Sequence, residues 1–213
     1  MIFVISYLCC KFALLHPQVS SHTDHLVTMA TESSTPSSSC NVEELQELLK
    51  KGGKSISLPL NPIDEVYENV YVGGKTAAAD KDKLKELGIT HILNCAQGAK
   101  FFHVDTSAED YADVDIKFCG LMVSDFPTSD IKQHFDTAVS FIDEALAQEN
   151  GKVLVHCVQG FSRSASVAVA YLMLRRGLTV QEAVKTVRER REIGPNSGFL
   201  KQLCALNDEL HNK

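Results

Sequence analysis

The run His156-Cys157-Val158-Gln159-Gly160-Phe161-Ser162-Arg163-Ser164 is the part of this chain best equipped to do chemistry: a cysteine, five residues, then an arginine. It lies between an apolar stretch, Val153-Leu154-Val155, and a small-residue stretch carrying Ala165, Ala168 and Ala170. A strand that feeds a helix through a tight loop turns successive backbone N–H groups inward at the positive end of the helix dipole, where an anion is favoured. Loop amides, the helix terminus and Arg163 all favour the thiolate, so Cys157 is expected below the free-thiol pKa of about 8.5. The planar fork of Arg163 can hold two phosphoryl oxygens at once, which the point charge of a lysine cannot. The segment reads as a phosphate cradle around a nucleophile, with Val158, Gln159, Gly160, Phe161 and Ser162 as its wall. The alternative, a buried thiol at a strand end, leaves the glycine, the arginine and the following helix unexplained. A zinc site is disfavoured, because His156 and Cys157 are adjacent on a strand and lack a second pair at ligand spacing. No metal or other cofactor is expected.

The segments around the cradle predict how it is held. Strand-like runs at 70–72, 89–94 and 118–123 alternate with a helix at 80–87 that Gly88 stops. Ile131, Phe135, Ala138, Val139, Ile142 and Leu146 recur at helical spacing behind a Ser129 cap. The apolar run at 153–155 reads as a central buried strand. Thr179 and Glu182 form a capping box for a following helix, and a last helix is predicted from about Phe199, after Gly194-Pro195. This alternation predicts an α/β fold: a single domain with a central, mostly parallel twisted sheet flanked by helices. Ahead of it, Asn41 is a candidate N-cap for a packing helix with Val42, Leu45, Leu48 and Leu49 on one face and Gly52-Gly53 as its stop. Residues 31–40, rich in Ser, Thr and Pro, hold too little apolar surface to pack. The expected organisation is therefore a flexible or non-native extension over 1–40 and a catalytic domain over 41–213.

Charge and cysteines set further bounds. With 27 acidic and 21 basic residues the chain carries a formal charge of −6, which argues against nucleic acid as a partner, so any anion site must be local. The seven cysteines have no regular spacing, so no disulfide framework is expected and a reducing compartment fits. The apolar start at 1–15 has no basic residue before it, is interrupted by Lys11 and falls short of the ~20 residues that span a bilayer, so no stable membrane insertion is expected. Met29 reads as a second start behind an upstream extension.

His-Cys, five residues, Arg, then Ser164 resembles the signature of the cysteine-dependent dual-specificity protein phosphatases, within the protein tyrosine phosphatase superfamily. The chain is most similar to the small atypical members related to the vaccinia virus phosphatase. Tyr71-Val72-Gly73, the run at 87–94, Ser124-Asp125-Phe126-Pro127 and Arg191-Glu192-Ile193-Gly194-Pro195-Asn196 extend the resemblance over about 62–210. It implies a tyrosine-phosphatase-like fold and hydrolysis of phosphotyrosine and phosphoserine or phosphothreonine through a phosphocysteine. Asp125, in a loop just past a strand-like run, is the acid it implies, with a solvated turn residue as the alternative; Asp130 reads as a first-turn helix charge. It also implies that Ser164 bonds the Cys157 sulfur, that His156 is a buried residue supporting the thiolate, and that Arg191 meets a second phosphate, as on MAP kinases. Asn196 and Tyr71 match pocket positions, each with a turn or core alternative. Gln159 and Phe161 depart from an expected Glu and Tyr. The uncharged cradle wall disfavours phosphoinositides, leaving phosphoproteins, MAP kinases among them, as the expected partners. Arg188 and Arg190 read as a solvated helix face. Cytoplasm and nucleus are the expected locations. A rival from another class is a phosphoprotein-binding scaffold with little turnover, against which Cys157, Arg163, Ser164 and Asp125 weigh.

Overall fold

Val153–His156 (β5) is the middle strand of a five-stranded sheet and carries the cradle at its carboxyl end. In the computed structural model, which describes residues 40–50 and 55–211, the strand order is β1-β2-β5-β3-β4. β2 (Val70–Gly73), β3 (His91–Asn94) and β4 (Lys117–Gly120) run parallel to β5, while β1 (Ile63–Tyr67) pairs antiparallel with β2 at the edge. Asn69, at φ 60°, takes the left-handed conformation that the tight turn between β1 and β2 requires. All four residues of β2, β3 and β5 are buried, as strands covered on both faces must be.

Alternating side chains divide two cores. Val70, Val72, Leu93, Val153 and Val155 face the larger one, built with α1 (Val42–Leu49), α4 (Phe135–Leu146), α5 (Arg163–Arg176), α6 (Val180–Arg190) and α7 (Ser197–His211). Tyr71, Ile92 and Leu154 face the smaller one, where Ala78 of α2 (Lys75–Ala79), Leu84 of α3 (Lys81–Leu87) and Tyr111 pack. α5 is buried without a break from Arg163 to Met173, which fits a helix lacking a polar face. Its alanines let it lie against the sheet and against α4, α6 and α7.

The mostly parallel α/β sheet agrees with the sequence expectation, and so does the Thr179–Glu182 capping box of α6. Other local expectations are corrected. β1, α2 and a 3₁₀ segment at Ala108–Val114 were not anticipated. The Ser129 cap is replaced by Asp130, whose carboxylate accepts from the Gln133 N–H ahead of a 3₁₀ turn at Lys132–His134. Leu48 is exposed while Leu45 and Leu49 are buried. Arg188 is buried rather than solvated: its Nε donates to the Leu49 carbonyl at 2.9 Å, closing the end of α1, and it pairs with Glu192. Cys40 and Cys204, 164 residues apart, form a disulfide where none was expected, because α1 packs on α7 and brings the two together. The Gly52-Gly53 stop and the whole extension before Cys40 lie outside the described residues. Among the described residues, no helix is long and apolar enough to cross a membrane.

β5 ends on a fully buried histidine. His156 Nδ1 donates to the Cys157 carbonyl at 3.3 Å and Nε2 has no partner among the described residues. Burial above all, with the nearby Arg163 charge and against the pull of the Cys157 carbonyl, lowers its pKa from 6.5 to about 4. The folded imidazole is therefore neutral at physiological pH. Between pH 6.5 and 4 the unfolded chain takes up a proton that the folded one refuses, so stability is lost as pH falls through this window. Urea denaturation across it should show a loss of about 3 kcal/mol attributable to this residue. His156→Gln should flatten the curve; an unchanged slope contradicts a neutral buried imidazole.

Candidate active site

The loop 157–162 turns back on itself between β5 and α5, and its geometry depends on Gly160. That residue sits at φ 67°, and a Cβ there would stand 2.4 Å from the Gly73 backbone and 2.6 Å from Arg191 Nη2. Only glycine satisfies both limits. The turn aims the Gly160 N–H at the Cys157 sulfur, 3.2 Å away, and the Ser164 hydroxyl lies 3.3 Å from the same atom. Cys157 is 2 % exposed yet lines a cavity of about 320 Å³. Burial alone pushes its thiol up. The Ser164 hydroxyl, the Arg163 charge and the Ser164 and Phe161 N–H groups outweigh it, so the net shift is downward, toward the thiolate.

Arg163 opens α5 and is 3 % exposed. Its Nη1 donates to the carbonyls of Phe102 and Val123, both at 3.0 Å, which fixes the guanidinium over the loop. Its Nε has no hydrogen-bond partner among the described residues and lies 3.4 Å from Asp125 Oδ2. Asp125, in the loop after β4, lines the same cavity as Cys157 and Arg163. Its Oδ1 accepts from the Ser162 hydroxyl at 2.7 Å and from Asn196 Nδ2 at 2.9 Å. A thiol whose pKa is lowered, a fixed cation and a carboxyl group are thus gathered at one cavity, which suits nucleophilic displacement at a phosphoryl group.

The remaining sequence-derived residues separate. Val158, Gln159, Phe161 and Ser162 line the cavity. Asn196 reaches it through Asp125 and Ser162, while its Oδ1 accepts from the Gly198 and Phe199 N–H groups and caps α7. Tyr71 is a core residue: as an alternate position on β2 it points into the smaller core, where burial first and Glu65 second raise its hydroxyl pKa. Arg191 does not face the cavity either. Its side chain is fully buried, paired with Asp64 at 2.5 Å, and it donates to the carbonyls of Gly160 at 2.8 Å, Gln159 at 3.3 Å and Asn61 at 3.1 Å. It therefore braces the loop from behind, drawing carbonyls outward so that N–H groups face in. A second substrate phosphate would meet in Arg191 a guanidinium already paired with Asp64.

Sequence reasoning missed Asp64 and an aromatic rim. Phe101 and Phe102 meet edge to face at 4.3 Å, are 85 % and 65 % exposed, and line the cavity with Phe126. Phe102 holds φ 63°, unusual for a bulky residue, and its carbonyl is the one bound by Arg163. Two adjacent phenylalanines after a glycine in a polar loop were the available signal. Among the described residues, no group of three or more His, Cys, Asp or Glu side chains is arranged to hold a metal ion.

Comparison with known proteins agrees with this geometry. The family description "Dual specificity phosphatase, catalytic domain" matches residues 70–209. The human "Dual specificity protein phosphatase 13B" is 44 % identical over 151 residues, covering 71 % of this chain and 75 % of that protein. The crystal structure of human DUSP28 superposes with a TM-score of 0.62 at 27 % identity, covering 72 % of this chain and 99 % of the other. The Yvh1 phosphatase domain from Chaetomium thermophilum gives 0.60 at 30 % identity, over 69 % and 96 %. Cradle, sheet and sequence converge, and the chain belongs to the dual specificity phosphatases, among their atypical members, as a protein-tyrosine/serine/threonine phosphatase.

Proposed function

We propose that this phosphatase works through a phosphocysteine formed on Cys157. The observation that carries the reading is the sulfur's set of partners: a loop amide at 3.2 Å, a hydroxyl at 3.3 Å and the Arg163 guanidinium above, with a carboxyl group across the same cavity. In the first step the thiolate attacks phosphorus, the P–S bond forms, and the P–O bond to the substrate side chain breaks. Asp125 supplies the proton that the departing oxygen needs, a contribution of roughly two to four orders of magnitude. In the second step water attacks phosphorus, the Asp125 carboxylate takes its proton, and the P–S electrons return to sulfur. Ser164, bonded to that sulfur, stabilises it as the leaving group. Arg163 neutralises charge on the phosphoryl oxygens throughout, while neutral His156 stays out of proton transfer.

Phosphoproteins are the proposed substrates, in cytoplasm and nucleus. MAP kinases rest on weaker support within this reading, because the residue expected to meet a second phosphate is buried against Asp64.

Three measurements test these points. Cys157→Ser should lower kcat on an aryl phosphate about a thousandfold or more while phosphopeptide binding persists; a parent that binds phosphopeptide without turning anything over would instead be a scaffold. The pH profile of kcat/KM should be bell-shaped, with its ascending limb below the free-thiol value of about 8.5, since the Cys157 pKa is lowered and activity appears as the thiol ionises. Asp125→Asn should remove the descending limb; a profile that keeps it excludes Asp125 as the acid. On activation-loop peptides, a second phosphate should bring no gain in kcat/KM, and a large gain would require Arg191 to leave Asp64.

A further inference from the structure

The two oxygens of the Asp125 carboxyl group stand in different surroundings. Oδ1 accepts two hydrogen bonds, from the Ser162 hydroxyl at 2.7 Å and Asn196 Nδ2 at 2.9 Å, whereas Oδ2 faces Arg163 Nε at 3.4 Å. We infer that Ser162 and Asn196 are positioning residues for the acid, and that by filling Oδ1 with donors they place the transferable proton on Oδ2. The inference rests on the phosphocysteine reading and deepens it.

The direction of each bond is fixed by its neighbours. Ser162 Oγ accepts from the Asn196 backbone N–H at 3.3 Å, so its own hydrogen is turned to Asp125. Asn196 Oδ1 accepts from the Gly198 and Phe199 N–H groups, both at 3.0 Å, so its amide cannot be reversed without uncapping α7, and Nδ2 must be the group that meets the carboxyl. An oxygen that accepts two such donors has no room for a proton of its own. Among the described residues, the polar contact of Oδ2 is with Arg163. When Arg163 Nε turns to a phosphoryl oxygen, Oδ2 is left as the carboxyl oxygen able to hold a proton and pass it to the departing oxygen. That transfer leaves Asp125 as the carboxylate required for the second step. Through Asn196 the first turn of α7 thereby sets the orientation of an acid lying 71 residues earlier in the chain.

The consequence is a dependence on the leaving group that loss of packing alone would not produce. An acid matters for phenyl phosphate, whose phenol is about as basic as tyrosine, near pKa 10. It matters far less for 4-nitrophenyl phosphate, whose phenolate departs without a proton. The experiment compares kcat/KM on the two esters for the parent, Ser162→Ala, Asn196→Ser and Asp125→Asn, with thermal midpoints to confirm folding. Serine at 196 keeps a side chain that can cap α7 but is too short to reach Asp125. The ratio of nitrophenyl to phenyl turnover should widen about tenfold in each positioning variant and more in Asp125→Asn. Ser162→Ala added to Asp125→Asn should widen it no further. Equal losses on both esters, or a ratio moved only by Asp125→Asn, would overturn the inference and leave the phosphocysteine reading standing. A parent inactive on both esters would remove that reading and the inference together.

Discussion

Lowering the cost of negative charge on the buried sulfur of Cys157 is the constraint on which the proposed chemistry depends. Taking an anion out of water is unfavourable, and burial is the largest single influence on this thiol. The protein offsets it with short-range donors rather than with solvent: the Gly160, Phe161 and Ser164 N–H groups, the Ser164 hydroxyl and the Arg163 charge. The contrast with Cys95 is instructive. It follows β3 as Cys157 follows β5, one strand away, and is equally buried, but burial there goes largely uncompensated and its thiol is pushed well above the ordinary range. Position at a strand end does not lower a thiol's pKa; the loop that follows does.

Holding that loop requires forces from outside it. Backbone N–H groups converge on one point only if the carbonyls between them are turned away and satisfied elsewhere. Arg191 does this, accepting burial through its pair with Asp64 and donating to the outward carbonyls of Gln159 and Gly160. Arg163 holds the opposite wall through Phe102 and Val123, so the guanidinium proposed to meet phosphate also anchors the aromatic rim and the approach to the Asp125 loop. The N-terminus of α7 supports Asp125 through Asn196. Each group proposed to act in catalysis is thus tied to an element distant in sequence, and α5, buried from Arg163 to Met173, keeps these ties in register.

The sheet and the cradle were legible in the sequence because both are written in local order. Strand 153–155, the loop and its helix are contiguous, and their apolar and glycine spacing has one structural solution. What could not be read depends on partners far apart along the chain. Arg191 looked like a free cation until Asp64, 127 residues away, was seen against it. Arg188 looked solvated on its own helix because the carbonyl it caps belongs to α1. Tyr71 was placed at the pocket by motif, although alternation on β2 turns it to the other face of the sheet from Val70 and Val72. Cys40 and Cys204 carried no pairing signal in their spacing.

The most direct test of the charged sulfur is the rate of Cys157 alkylation by iodoacetamide as a function of pH, with the modified residue located by mass spectrometry. The account predicts an inflection below the value of a free thiol, moving upward in Ser164→Ala as one donor to the sulfur is lost. An inflection at or above the free value in the unaltered protein would contradict it, because burial would then have prevailed over the donors arranged around that atom.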